Sequence, residues 1–390
     1  MGERRTLHWV EDGTDRWARW RSESGAKPPG RVLAADDRMR ADAAYKLVCE
    51  GTALLWRGDY QNARQLLTAL GARVDRKARR PRARARTSSG TEPAAEPQAD
   101  FHRHRARQAQ RARILGMLLV ELDGGYALPL RRAPEVADAC AAALGPADGE
   151  PSVLSLRELL GLLGAWEWQR NGVPVPALGG ERIHPSYGVF SPVRGEYVDL
   201  VAEEPLPAGG TELAYDVGTG TGVLAAVLAR RGVRRVLATD SDPRALACAA
   251  ENAERLGMAD RITVTRADLF PPGRAPLVVC NPPWLPAKPT SPLERAVYDP
   301  GSRMVRGFLS GLTAHLAPGG EGWLILSDLA ERLELRERGE LEHWIRTAGL
   351  RVLGRGDRRP RHPRAADPDD PLHAARAAEV TSLWRLAAAV

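Results

Sequence analysis

The feature that most restricts how this chain can fold is a strand that breaks into glycines and resumes as a helix. Leu213-Ala214-Tyr215-Asp216-Val217 is a short buried-strand pattern, Gly218-Thr219-Gly220-Thr221-Gly222 interrupts it, and Val223 to Arg230 is strongly helical. A glycine-rich turn of this kind opens a nucleotide-type βαβ unit, and it also packs helices tightly on sheets in other settings. The dinucleotide fingerprint Gly-x-Gly-x-x-Gly does not fit, because the third glycine arrives one residue early.

The alternation continues beyond this stretch. Val236 to Thr239, Arg261 to Thr265, Pro276 to Cys280 and Glu321 to Ser327 read as strands, with helices at Arg303 to Leu316 and Leu335 to Ala348. Such alternation predicts a parallel sheet wrapped by helices on both faces. Leu350 to Arg355 and Glu379 to Trp384 read as an antiparallel pair closing one edge, joined by a loop over Gly356 to Ala378. This α/β domain spans 181–390.

Ahead of it, residues 1–33 read as a polar leader with scattered Trp9, Trp17 and Trp20, closed by the Gly25 to Gly30 run. Residues 34–170 read as a helical domain. Ala34 to Trp56 and Tyr60 to Leu70 carry apolar residues at helical spacing, as an antiparallel hairpin with Asp59 as N-cap. Two further amphipathic segments follow at Ala133 to Leu144 and Leu154 to Trp168, the second with a Ser155-x-x-Glu158 capping-box pattern. A basic insert at about 76–100 is expected to be disordered, because it cannot bury enough apolar surface to offset its ordering entropy. Its arginines, Arg76 to Arg86, fit either a solvated linker or a phosphate-binding arm. Asn171 to Gly180, with two prolines, is the expected domain boundary.

With 390 residues the chain accommodates two domains, and a formal charge of +7 suits an acidic partner such as RNA, DNA or a ribosomal particle. The four cysteines are too far apart to form a zinc or redox pair, so no metal site is expected. No apolar run spans a bilayer and Met1 to Val10 lacks a hydrophobic core, so a cytoplasmic location is expected.

In an open α/β sheet a ligand lies across the carboxyl ends of the strands. Gly218, Gly220 and Gly222 let backbone and ligand approach closely. Asp240, closing the second strand, stands where an acidic residue accepts from both hydroxyls of a ribose, and Asp242 before Pro243 is the better helix cap. Asp268, past the third strand, fits either an acceptor for an adenine amino group, with Leu269 and Phe270 as walls, or a plain turn residue. Asn281-Pro282-Pro283-Trp284 follows the fourth strand. Two prolines fix the backbone so that Asn281 and the Pro282 carbonyl act as paired acceptors for a planar amino group, and Trp284 supplies a stacking face.

Taken together, Asp216 to Gly222, Asp240, Asp268 and Asn281 to Trp284 resemble the successive motifs of class I S-adenosylmethionine-dependent methyltransferases with an Asn-Pro-Pro-aromatic tetrapeptide. Within that set the chain is similar to the release-factor glutamine methyltransferases and to the small-domain enzymes that modify rRNA guanine. The resemblance covers roughly Tyr187 to Trp384. It implies a Rossmann-like seven-stranded sheet behind the N-terminal helical domain, with S-adenosylmethionine as cofactor. Asn281, Pro282 and Trp284 would serve as catalytic residues, and Asp216, Gly218, Gly220, Gly222, Asp240, Asp268 and Phe190 would contact the cofactor. The acceptor would be a planar nitrogen on a macromolecule. A glutamine of a translation protein is favoured, with a nucleic-acid base amine as the alternative and a non-catalytic binding module as the reading from another class. Tyr187 to Glu196 departs from the Pro-Arg-Pro-Glu-Thr segment of the glutamine enzymes, and Gly188-Val189-Phe190-Ser191 is closer to the rRNA guanine enzymes.

Overall fold

A computed structural model describes residues 5–86, 96–290, 293–361, 367–368 and 370–389. The chain divides into two compact units, Met1–Glu167 and Trp168–Val390.

The first unit is built on a mixed sheet and is not the helical domain expected from the sequence. Its elements run β1 (Thr6–Glu11), β2 (Thr14–Trp20), β3 (Arg31–Ala35), α1 (Ala41–Cys49), β4 (Thr52–Trp56), α2 (Tyr60–Arg86), α3 (Pro97–Leu115), β5 (Leu118–Leu122), α4 (Ala137–Leu144), β6 (Ser152–Ser155) and α5 (Leu156–Asn171). The six strands lie in the order β1-β2-β6-β5-β4-β3. The polar leader is replaced by a hairpin: Asp12 and Gly13, both at positive φ, form a two-residue turn between paired β1 and β2. Leu7, Trp9 and Ala18 then pack with Leu55, Leu119 and Val153. Of the expected helical hairpin, Tyr60 to Leu70 is helical within α2 and Ala41–Cys49 forms α1, but both ends of the Ala34 to Trp56 arm are strands. Ala53 to Trp56 is a continuous buried run too short for a helix, and it forms β4 in parallel with β3 and β5.

The segments Ala133 to Leu144 and Leu154 to Trp168 contain the helices α4 and α5, as expected, and two capping expectations hold as well. The Asp59 carboxylate accepts from Gln61 N–H at 2.8 Å at the start of α2, and Glu158 N–H donates to Ser155 Oγ at 3.1 Å. The insert expected to be disordered is helical at both ends, because α2 runs to Arg86 and α3 starts at Pro97. Its middle, 87–95, lies outside the described residues.

The second unit opens with the short pair β7 (Val173–Pro174) and β8 (Arg182–Ile183), then α6 (Glu196–Glu203). It continues as β9 (Leu213–Val217), α7 (Val223–Arg230), β10 (Arg235–Asp240), α8 (Pro243–Arg255), β11 (Ile262–Arg266), β12 (Ala275–Cys280), α9 (Arg303–His315) and β13 (Leu316–Ser327). It closes with α10 (Leu329–Arg332), α11 (Glu340–Thr347), β14 (Leu350–Arg358), α12 (His373–Ala377) and β15 (Thr381–Ala388). The seven strands take the order β11-β10-β9-β12-β13-β15-β14, with β15 antiparallel to both neighbours. Strand order reverses between β9 and β12. The chain first moves outward through β10 and β11, then returns to the other side of β9.

Apolar layers on both faces hold this sheet. One joins α6 and α7 to Ala214, Val279, Trp323 and Ile325, and the other joins α9 and α11 to Tyr215, Val278, Leu324 and Leu386. The second layer is tight at Gly322, where a Cβ would fall 2.3 Å from Leu312 Cδ2. Gly322→Ala is therefore expected to destabilise the protein by about 1–3 kcal/mol through overpacking. Urea unfolding measures this, and an unchanged midpoint would mean the α9 face is loosely packed.

Candidate functional site

Because β9 and β12 are neighbours, Val217 pairs with Cys280, and the glycine turn and the Asn-Pro-Pro-Trp tetrapeptide leave the sheet side by side. The structure thus brings together two motifs far apart in sequence, 218–222 and 281–284, at the switch point, the position where open α/β sheets bind ligands.

The turn is fixed from below. Asp216 is 1% exposed, and its Oδ2 accepts from Thr219 Oγ1 at 2.6 Å and from Ala225 N–H in the first turn of α7 at 3.1 Å. Its carboxylate is therefore spent on holding the loop to the helix. The Thr239 carbonyl accepts from Gly218 and Thr219 N–H at 2.9 and 2.8 Å, which ties the turn to β10. Gly218 has φ +74, a left-handed conformation that favours glycine, and a Cβ there would fall 2.4 Å from Cε at the end of the Met304 side chain. Gly220, at φ +55, has nothing within 4 Å of its Cβ position and borders open space. Gly222 is the N-cap residue of α7.

Asp240 sits at the end of β10, half-buried, with Oδ2 accepting from Gly220 N–H at 3.1 Å and Oδ1 from Asp242 N–H at 2.9 Å. Asp242 caps α8 through Arg244 N–H, as its place before Pro243 suggests. A third carboxylate, Asp299, comes from the loop before α9. It is buried and its Oδ2 accepts from Met304 N–H at 2.8 Å. Burial pushes the carboxyls of Asp216, Asp240 and Asp299 up, Asp216 to about 6 with neighbouring Asp240 adding to the effect. Burial also pushes the Cys280 thiol up, and all three carboxylates act on it in the same direction. A cluster of costly buried negative charge at one strand end suits a cationic ligand.

Within the tetrapeptide, Asn281 is half-buried, Pro282 is buried, and Trp284 Nε1–H donates to Asn281 Oδ1 at 3.0 Å. The loop beyond is pinned back onto it: Leu285 N–H donates to the Val297 carbonyl at 3.1 Å, and Asp299 N–H donates to the Leu285 carbonyl at 2.8 Å. Asp268 is exposed in the turn after β11. Phe270 is not a free wall, because it stacks on His315 and Phe308 against α9, with ring centroids 4.3 and 5.6 Å away.

The segment holding Phe190 lies along α8. Asn252 accepts from His184 N–H at 2.8 Å and donates to the carbonyls of His184 and Thr221 at 3.1 and 3.0 Å, so one buried amide joins this segment to the glycine turn. Val189 packs on Ala245 and Cys248, and Phe190 is left half-buried. Glu196 turns inward at the start of α6, 3.3 Å from Arg194 Nε. Asn252, Asp299, Met304 and Arg194 were not singled out in the sequence. Only Asp299, ahead of Pro300 and an amphipathic helix, carried a local signal, that of an N-cap region.

The profile of the family described as "Ribosomal protein L11 methyltransferase (PrmA)" matches residues 202–311. The chain is 40% identical over 119 residues to a release factor glutamine methyltransferase of Cereibacter sphaeroides, covering 27% of this chain and 43% of that protein. It is 37% identical over 148 residues to a ribosomal protein L11 methyltransferase of Pelotomaculum thermopropionicum, covering 37% and 45%. A ribosomal protein L11 methyltransferase of Geobacter metallireducens is 32% identical over 203 residues, covering 47% and 59%. The chain thus spans about half the length of the curated relatives it matches.

The raised Asp216 carboxyl makes stability depend on pH. Folded protein holds this proton more tightly than the unfolded chain, so the contribution is present below the ordinary value of 3.8 and is lost as pH rises through about 6. Asp216→Asn keeps one oxygen to accept both bonds and removes the charge. It is expected to be stabilised relative to the unmodified protein at pH 7 by on the order of 3 kcal/mol, and by clearly less at pH 4.5. Urea midpoints at the two pH values test this, and a difference independent of pH would overturn it.

Proposed function

From a C-terminal domain of the class I S-adenosylmethionine-dependent methyltransferase kind, related to the ribosomal protein L11 and release factor glutamine methyltransferases, we propose that the chain methylates a planar nitrogen on a macromolecule, with a protein glutamine favoured. The observation that carries this is the adjacency of the glycine turn and the tetrapeptide on paired strands, Val217 beside Cys280.

The residues present suit the cofactor. The open space at Gly220 gives room for a ligand against backbone, and Asp216, Asp240 and Asp299 gather negative charge where a sulfonium and an ammonium would lie. When bound, S-adenosylmethionine supplies an electrophilic methyl. Asp240 would hold the ribose hydroxyls with the lone pairs left over from Gly220 and Asp242 N–H, and Asp268 would face the adenine. Asp216 serves by holding the turn. Gly218, Gly222 and Phe190 would shape the cleft around the methionine moiety.

Asn281 Oδ1 and the Pro282 carbonyl accept from the N–H groups of the target and draw its lone pair out of conjugation, with the ring of Trp284 as the stacking face. No general base is needed, because the nitrogen becomes acidic as it gains the methyl. Most of the rate comes from alignment of nucleophile and methyl, and the acceptors also offset the charge that develops. The matched relatives are named for translation proteins, which supports a protein acceptor of that kind. The net charge of +7 supports the second reading, a nucleic-acid base amine. Among the described residues no helix is long and apolar enough to cross a membrane.

Incubation of a cell extract with methyl-labelled cofactor, followed by separation of protein and RNA, is expected to place label in protein. Label in RNA would select the second reading, and label in neither would remove both. Asn281→Ala is expected to abolish incorporation while calorimetric cofactor affinity stays within a few-fold. Equal loss of both would remove Asn281 from the acceptor role.

A further inference from the structure

Trp284 does not stand alone beside Asn281. The Arg194 guanidinium lies over its ring, 5.3 Å from the centroid. The same guanidinium is gripped from behind by Glu379, at the approach to β15: Nη2 donates to Oε2 at 3.0 Å and Nη1 to Oε1 at 3.4 Å. Glu379 is fully buried, and its Oε1 also accepts from Ser327 Oγ at 2.7 Å at the end of β13. We propose that Arg194, held by Glu379, is a positioning residue that fixes the Trp284 indole and, through its Nε1–H, sets the orientation of the Asn281 carboxamide. This rests on the acceptor role given to Asn281 above.

A carboxamide is nearly symmetric in shape. Oxygen and NH2 are almost the same size, so a half-buried Asn can present either face to a target, and only its hydrogen-bond partners decide which. An acceptor role needs the oxygen in place. The indole N–H is a donor with no acceptor capacity, so at 3.0 Å it can pair only with Oδ1 and excludes the flipped amide. A cation over the ring face is attracted by the aromatic quadrupole and polarises the N–H, which strengthens the bond to Asn281. A guanidinium suits this task because its planar fork engages Glu379 while its face covers the ring. Glu196, buried 3.3 Å from Arg194 Nε, adds a second negative neighbour that keeps the cation in place.

The test reads the indole itself. In the 15N-labelled full chain, the Trp284 Nε1–H resonance is identified among the ten tryptophans by its loss in Trp284→Phe. Arg194→Met alone would strand the buried Glu379 and Glu196 and endanger folding, so the informative variant is Arg194→Met with Glu379→Gln and Glu196→Gln. In that variant the Trp284 resonance is expected to move toward its position in Asn281→Ala, and its exchange with water to speed up about ten-fold, as for loss of one hydrogen bond. The other indole resonances should stay in place. Arg194→Lys, which keeps a cation over the ring, should return the resonance most of the way. Methyl incorporation in the combined variant should fall about ten- to a hundred-fold, the scale of a misaligned reacting group, with Arg194→Lys recovering part of it. An unmoved Trp284 resonance, or one that shifts only together with all the others, would overturn the proposal whatever the incorporation shows. A specific shift in a chain whose unmodified form transfers no label would leave the clamp standing and overturn the functional reading instead.

Discussion

Everything at the site depends on one backbone pairing, that of β9 with β12. Each strand end alone presents an ordinary turn. Joined in register, Val217 against Cys280, they bring the glycine turn and the Asn281 amide to the same rim of the sheet. The pairing is available because the chain reverses direction of travel after β11, which leaves the far side of β9 open for β12. Two apolar layers then lock the register, since a slip by one residue would turn Tyr215 and Val278 out of their packed face.

Negative charge is the second organising constraint. Asp216 and Asp240, at neighbouring strand ends, and Asp299, in the loop before α9, are buried or half-buried, and each is occupied by backbone N–H donors. Those bonds make the carboxylates rigid without neutralising them. The bonds that hold the turn and the cost of buried negative charge therefore arise from the same atoms.

The α/β half of the fold was legible in the sequence because its signals are local and repeated: apolar strands, glycine turns, and prolines at helix starts such as Pro243. The edge pair was legible too, although β15 lies between β13 and β14. The N-terminal unit was misread for two physical reasons. Ala53 to Trp56 is apolar on every residue, which suits a strand buried on both faces but mimics helical spacing when read with its neighbours. In the supposed leader, Asp12-Gly13 between alternating residues was an available hairpin signal, masked by the surrounding charges. At the site, the glycines, Asp240 and the tetrapeptide were visible as motifs. The inward turn of Asp216 was not, since a carboxylate bonded back to Thr219 and Ala225 looks the same in sequence as one facing a ligand, and neither was the stacking of Phe270 on His315, a partner distant in sequence. Arg194 and Glu379, 185 residues apart, lay beyond any local pattern.

The loop that leaves the tetrapeptide carries a further implication. Leu285 is bonded to Val297 and Asp299, so the stretch between them is a ring closed at its base. The cost of closing such a ring grows only slowly with its length. Residues can be gained or lost within it without shifting either Asn281 on one side or Met304 on the other. Chains built on this plan could thus alter the circumference of this ring while the strand ends beneath it keep their places.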